Sequence, residues 1–177
     1  MDRDRLERML APEAVGDVTA LPMEELRRRR AEGQELEVGV SYQRRIAQGR
    51  LDIVAAEQRR RAAGAPPVDH DHLVEQLSGI LADRTHAPGV GRLPQLMTPA
   101  ATELDTSELD AVAGPSLLRK LPELDDGRLA DLVEALSAHE AELSARRRTL
   151  HERIDVFQAE ITRRYKTGEA SVESLLR

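Results

Sequence analysis

The chain has 177 residues, of which 33% are charged and only 2% aromatic, and its formal net charge is −6. So little bulky apolar material excludes a large globular core, and the negative net charge argues against a general nucleic-acid binder. Because the chain has no Cys and no apolar run near the roughly 20 residues of a membrane span, disulfide scaffolds, thiolate metal sites and transmembrane helices are excluded, and a cytoplasmic location is favoured.

Two helices are predicted in the first third of the chain. Residues 2–10 form a short amphipathic helix that ends before Pro12, and residues 1–20 are assigned to an N-terminal partner-binding segment. A long helix is predicted for residues 21–63. It begins near Pro22, a residue tolerated in a first helical turn, and the Gly-Ala-Pro-Pro sequence that follows residue 63 stops it.

Residues 64–126 are predicted to link the long helices. A short helix is expected at about 70–84, and the proline-rich residues 85–124 form a long extended connection. His70 and His72 could suggest a metal site. They lie at a predicted helix start with no further His nearby in sequence, so no metal site is predicted.

The last long helix is predicted for residues 127–167, with Asp125 or Asp126 as its N-cap and residues 168–177 as a tail. Its apolar residues recur every seven positions, which is typical of coiled-coil packing. These residues are Leu129, Leu136, Leu143, Leu150 and Phe157.

The two long helices carry the same polar motif. A shift of 103 residues superimposes them, and both copies read E-x3-S-x2-R-x3-[Q/H]-x3-D. The apolar positions repeat with the same shift, since Val40 falls on Leu143 and Leu51 on Ile154. The motif residues are Glu37, Ser41, Arg44, Gln48 and Asp52 in the first copy and Glu140, Ser144, Arg147, His151 and Asp155 in the second. A charged row on one helix is usually a solvated face, but its duplication together with the apolar seam favours a ligand site.

The motif spacing places each copy on one side of its helix. At about 100° per residue the five side chains fall within an arc of about 80°, and we call each such row a motif stripe. Each stripe is rotated by roughly a quarter turn from the apolar seam, so it flanks the helix pair. We therefore expect solvent and ligands to reach it.

The residue types of the motif match the chemistry of guanine. Arg can donate two hydrogen bonds to guanine O6 and N7, and a carboxylate can accept from N1 and N2. Ser, Gln and His can bond to sugar or phosphate. If the helices pack antiparallel, a two-fold axis relates the stripes, and a cyclic dinucleotide with two identical guanines shares that symmetry.

The duplicated motif resembles that of the RsiG family, actinobacterial anti-sigma factors that bind cyclic di-GMP and sequester a WhiG-type sporulation sigma factor. The resemblance covers roughly residues 20–165. It implies an all-α fold in which an antiparallel two-helix coiled coil, with a short linking helix and a long extended connection, binds two intercalated cyclic di-GMP molecules. It assigns the ten motif residues to this ligand. His151 departs from the pattern, which has Gln at that position.

The resemblance also implies a partner. A monomer loaded with cyclic di-GMP would form a 1:1 complex with the sigma factor, without contacting DNA or membrane, and so block transcription of its regulon. The acidic residues 66–127 and the N-terminal short helix are candidate contacts, because sigma factors present basic DNA-binding surfaces.

Two other functions remain open from the sequence. One is a coiled-coil adaptor or scaffold without a nucleotide ligand, and the other is a direct nucleic-acid binder. The sequence contains no nucleophile with a nearby base, no P-loop and no paired catalytic carboxylates, so an enzyme is not expected.

Overall fold

Two long antiparallel helices form the body of the protein. The computed structural model describes residues 3–66 and 106–169, and within these ranges every regular element is helical. The first long helix, α2, spans Met23–Ala62, and the last, α5, spans Asp126–Thr167. Arg61 at the end of α2 pairs with Asp126 at the start of α5, so the two helices run in opposite directions. The predicted all-α fold with a long helix pair is therefore confirmed.

The ends of both long helices follow from local sequence signals. The Asp125 side chain caps α5 by accepting a hydrogen bond from the Arg128 backbone N at 2.8 Å. At the other end Gly168 takes a left-handed conformation with φ of 76°, which glycine adopts without steric cost. Pro22 directly precedes α2 and supplies the carbonyl that begins its hydrogen-bond ladder.

The core is an apolar seam between α2 and α5. Phe157 is fully buried, as are the leucines that repeat every seven residues. The buried apolar residues of the two helices are Leu26, Gly33, Leu36, Gly39, Val40, Ala47 and Val54 on α2 and Leu129, Leu132, Leu136, Leu143, Leu150, Ile154, Phe157 and Ile161 on α5. Each Å² of apolar surface that is removed from water stabilises the fold by about 25 cal/mol, so this seam is the main source of stability.

Three short helices pack at the sides of the long pair. The predicted N-terminal helix is present as α1, Arg3–Leu10, with Leu6 and Met9 buried. Its apolar side is thus occupied by the chain itself, and the N-terminal segment can offer a partner only its outward polar side. No helix in the described ranges is long and apolar enough to cross a bilayer.

The other two short helices lie where the sequence predicted an extended connection. They are α3, Ser107–Ala113, and α4, Pro115–Arg119, and a single 3₁₀ turn follows at Leu121–Glu123. The prediction of an extended chain is wrong for this described part of residues 85–124, because α3 packs against α5 with Leu109 and Ala113 buried. The predicted helix at 70–84 and the histidines His70 and His72 lie outside the described residues.

The 103-residue repeat continues beyond the motif into these flanking segments. Near the end of α2, Arg61 donates to three backbone carbonyls of the segment that precedes α5, at 2.6–3.2 Å. Near the end of α5, Arg164 donates to three carbonyls of the segment that precedes α2, at 2.7–3.1 Å. Each of the six bonded positions falls on its counterpart under the same shift. The carbonyls belong to Leu121, Pro122 and Leu124 and to Val18, Thr19 and Leu21. The described molecule is therefore built from two related halves.

Candidate ligand-binding site

The two motif stripes meet across the helix pair and form one continuous polar site. The sequence predicted two stripes that flank the seam, and in the structure they lie on the same side of it, because cross-helix bonds join one copy to the other. Glu37, Ser41, Arg44 and Gln48 on α2 are all half-buried, as are Glu140, Ser144, Arg147 and His151 on α5.

One oxygen of Glu37 is the centre of the first cluster. Its Oε1 atom accepts hydrogen bonds from the Ser41 hydroxyl at 2.6 Å and from Arg147 Nε at 3.0 Å. Arg147 Nε also donates to the Ser41 oxygen at 3.0 Å. The His151 Nε2 atom lies 3.3 Å from Glu37 Oε1 and forms an ion pair with it when the imidazole is protonated. The carboxylate of one helix thus orients the guanidinium of the other.

Glu140 is the centre of the second cluster, with the same arrangement. Its Oε1 atom accepts from the Ser144 hydroxyl at 3.0 Å, from Arg44 Nη1 at 3.1 Å and from Gln48 Nε2 at 3.1 Å. Because each contact corresponds to one of the first cluster under the 103-residue shift, a pseudo-two-fold axis passes between the helices through the middle of the site.

The symmetry explains how His151 can stand where the first copy has Gln48. Both side chains direct a nitrogen at the carboxylate of the opposite helix, at 3.3 Å for His151 and 3.1 Å for Gln48. The departure from the motif therefore keeps the contact geometry. The sequence did not reveal this role, because the partner carboxylate lies on the other helix.

The environment of Glu37 keeps it ionised. Partial burial alone would raise the pKa of this carboxyl, but the hydrogen bonds from Ser41 and Arg147 and the nearby positive charges outweigh it, and the pKa lies below its usual range. Glu37 is therefore an acceptor at neutral pH, as its donors Ser41 and Arg147 require.

The motif arginines keep part of their guanidinium groups available. Arg147 donates through Nε, and its two terminal nitrogens have no hydrogen-bond partner within the described ranges. Arg44 donates through Nη1, and its Nη2 atom is without a partner among the same residues. The Arg147 side chain is 40% exposed and that of Arg44 is 24% exposed. The forked edge of Arg147 can therefore still donate two parallel hydrogen bonds to a ligand from solvent.

The motif aspartates lie at the two opposite ends of the combined site. Asp52 follows Gln48 by one helical turn and is half-buried, whereas Asp155 follows His151 by one turn and is exposed. The arrangement offers, in each half, a guanidinium near the axis and a carboxylate about two turns farther out, which suits a ligand with repeated donors and acceptors. No group of three or more His, Asp or Glu side chains in the described part of the chain is arranged for a metal ion.

Residues 12–81 and 115–177 match the model of the RsiG-like family. Together these two ranges cover most of the chain, and each contains one long helix with one copy of the motif. No curated protein matches the chain.

Proposed function

The chain belongs to the RsiG-like family of anti-sigma factors, and we propose that it binds a cyclic di-GMP dimer and, so loaded, sequesters a WhiG-type sporulation sigma factor. An anti-sigma factor is a regulatory protein rather than an enzyme, and its partner is a sigma factor. The nucleotide, its stoichiometry of two molecules per chain and the WhiG-type partner are the proposed parts.

The nucleotide proposal rests on one observation: the two motif copies contact each other across the helix pair and are related by one pseudo-two-fold axis. Each half presents an Arg with at least one terminal nitrogen that has no partner in the described ranges and, about two turns along the same helix, an Asp. Guanine bases need both kinds of group, since Arg matches O6 and N7 and a carboxylate matches N1 and N2. Two such halves related by an axis match a ligand that carries two guanines related by its own axis.

The roles within the motif differ in this proposal. Arg44, Arg147, Asp52 and Asp155 contact the bases. Glu37 and Glu140 orient the arginines of the opposite helix, and their Ser neighbours complete the acceptor clusters. Gln48 and His151 hold the same carboxylates and face sugar or phosphate with their remaining capacity.

Sequestration would follow if the bound dinucleotide completes a surface that the sigma factor recognises. The apolar side of α1 is packed within the chain, so its outward side, which exposes Asp4 and Glu7 together with Arg3 and Arg8, is the part of this helix that remains for the sigma factor. A purified sigma factor should therefore be retained by the immobilised chain only when cyclic di-GMP is present. Equal retention with and without nucleotide would contradict ligand-dependent capture.

Calorimetric titration tests the nucleotide step directly. We expect about two cyclic di-GMP molecules per chain, and Asp52→Ala or Asp155→Ala should weaken binding at least about tenfold, because two base contacts are lost. The control is Glu142→Ala, because Glu142 is exposed and pairs only with Arg146 in the described structure. This variant should leave the affinity unchanged. The absence of both heat and thermal shift with the unmodified chain would overturn the proposal.

One observation favours the second candidate, a coiled-coil adaptor without nucleotide. The glutamates of the motif, Glu37 and Glu140, already accept hydrogen bonds from donors of the opposite helix, so this part of the site is a stable polar contact in the absence of a ligand. An adaptor predicts that guanine nucleotides leave the melting temperature unchanged. The same titration therefore separates the two functions.

A further inference from the structure

A second pair of arginines lies beside the motif and is duplicated with it. Arg45 follows Arg44 on α2, and Arg148 follows Arg147 on α5, so the two are related by the same 103-residue shift. Both side chains are exposed. At about 100° per residue, each lies at the edge of its motif stripe that is remote from the apolar seam.

These two arginines differ from most others in the molecule. Arg50, Arg61, Arg146 and Arg164 pair with carboxylates, as the motif arginines do. Within residues 3–66 and 106–169, neither Arg45 nor Arg148 has a hydrogen-bond or ion-pair partner. A duplicated pair of uncompensated positive charges therefore borders the site on both sides of the pseudo-two-fold axis.

The motif itself carries too little positive charge to bind an anionic ligand. The ten motif residues contain four carboxylates and two guanidinium groups, so with neutral His151 the motif is net negative. Both guanidinium groups already contact Glu37 or Glu140. A cyclic dinucleotide is an anion with a full negative charge on each phosphodiester, and the motif alone would repel it. Additional positive charge at the rim of the site would offset this repulsion.

We infer that Arg45 and Arg148 bind the phosphodiester groups of the nucleotide held between the motif stripes. This inference rests on the proposed function, because it presupposes an anionic dinucleotide at the site. The long, forked arginine side chains can reach inward from the rim, and their planar donors match phosphate oxygens. Base recognition then belongs to the motif, and charge compensation belongs to the residue that follows each motif arginine.

The test is the double variant Arg45→Gln/Arg148→Gln in the full chain, titrated with cyclic di-GMP at several salt concentrations. Two exposed charge contacts are together worth up to about a tenfold change in affinity. We expect binding to weaken by about that factor, and the dependence of the affinity on salt to become shallower than for the unmodified chain.

The matched control is Arg8→Gln/Lys120→Gln. It removes the same charge from two exposed residues that lie far from the motif in sequence, and it should titrate as the unmodified chain does. If both double variants weaken binding equally, only overall charge matters and the inference fails. If Arg45→Gln/Arg148→Gln binds nucleotide normally, the inference fails while the proposed function stands. If that variant also no longer captures the sigma factor, these arginines contact the protein partner instead. If the unmodified chain binds no cyclic di-GMP, the proposed function itself has failed.

Discussion

Arg147 on α5 donates a hydrogen bond from its Nε atom to Glu37 Oε1 on α2, at 3.0 Å. The repeat-related pair has the same relationship in the opposite direction, since Arg44 on α2 donates to Glu140 on α5 at 3.1 Å. Neither copy of the motif is therefore complete on its own helix. The Glu of each copy orients the Arg of the other, so the packing of the helix pair and the geometry of the candidate site depend on each other.

Replacement of Glu37 by Gln should weaken cyclic di-GMP binding. The amide keeps an acceptor oxygen but loses the charge that fixes Arg147. A charge-assisted hydrogen bond at this half-buried position contributes about 1 kcal/mol. We expect a loss in affinity of about fivefold by titration calorimetry, and Glu140→Gln should behave alike because of the pseudo-symmetry. Glu142→Gln, which removes an exposed partner of Arg146, is the control. Equal effects of Glu37→Gln and Glu142→Gln would show that the cross-helix carboxylate has no special role.

Replacement of His151 by Gln should preserve nucleotide binding. Gln48 already occupies the equivalent position in the other half and donates to Glu140 at 3.1 Å, so Gln at position 151 can donate to Glu37 in the same way. We expect the affinity to stay within about threefold, whereas His151→Leu should lose more because it leaves a polar contact unmade. If His151→Gln and His151→Leu titrate alike, the nitrogen at this position does not matter.

Replacement of Arg164 by Lys should destabilise the fold. The guanidinium donates to three backbone carbonyls before α2 and to Glu160, and a single ammonium cannot reproduce that fork. We expect the free energy of unfolding in urea to fall by about 1–3 kcal/mol, and Arg61→Lys to have a similar effect at the other end. Arg128→Lys, at a side chain that is 69% exposed, should change it by less than about 0.5 kcal/mol. A stability of Arg164→Lys equal to that of Arg128→Lys would contradict the structural role of the Arg164 hydrogen bonds.

The long helices and the placement of the motif stripes on them could be predicted from the sequence because their signals are local. Apolar residues every seven positions defined α5, and Asp125 marked its beginning. The motif stripes followed from helical spacing alone. What the sequence could not supply was the cross-helix register, which brings Glu37 to Arg147 and turns two stripes into one site.

The short helices α3 and α4 were missed for a different reason. Proline-rich sequence was interpreted as an extended connection, although a proline in a first turn is compatible with a helix, as Pro115 is in α4. The repeat contained the missing signal: the 103-residue shift places Leu6 of α1 on Leu109 of α3, and both are buried. Helices of five to eight residues have weak intrinsic preferences, and their packing against the long pair decides their conformation.

The unmodified chain should lose stability in acid partly through Glu160. Hydrogen bonds from Arg163 and then Arg164 lower the pKa of this carboxyl from about 4.5 to about 2. A folded-state pKa below the unfolded value stabilises the fold above pH 4.5, and that contribution disappears as the pH falls from about 4.5 to about 2. We expect urea unfolding of Glu160→Gln to show lower stability at pH 7 and a shallower decline in this range. A decline identical to that of the unmodified chain would exclude Glu160 as a contributor.

Two glycines of α2 should respond in opposite ways to Ala. A Cβ at position 49 would meet nothing within 4 Å, so Gly49→Ala should raise the free energy of unfolding by about 0.5–1 kcal/mol through the better helix propensity of Ala. A Cβ at position 33 would lie 3.0 Å from Ile154 Cγ1, a buried β-branched side chain in the seam. We expect Gly33→Ala to lose about 1 kcal/mol, because overpacking of the seam exceeds the gain in propensity. Urea unfolding of both variants distinguishes the two sites. If both substitutions stabilise the protein, Ile154 moves aside without cost, and the close approach of the helices does not require glycine at position 33.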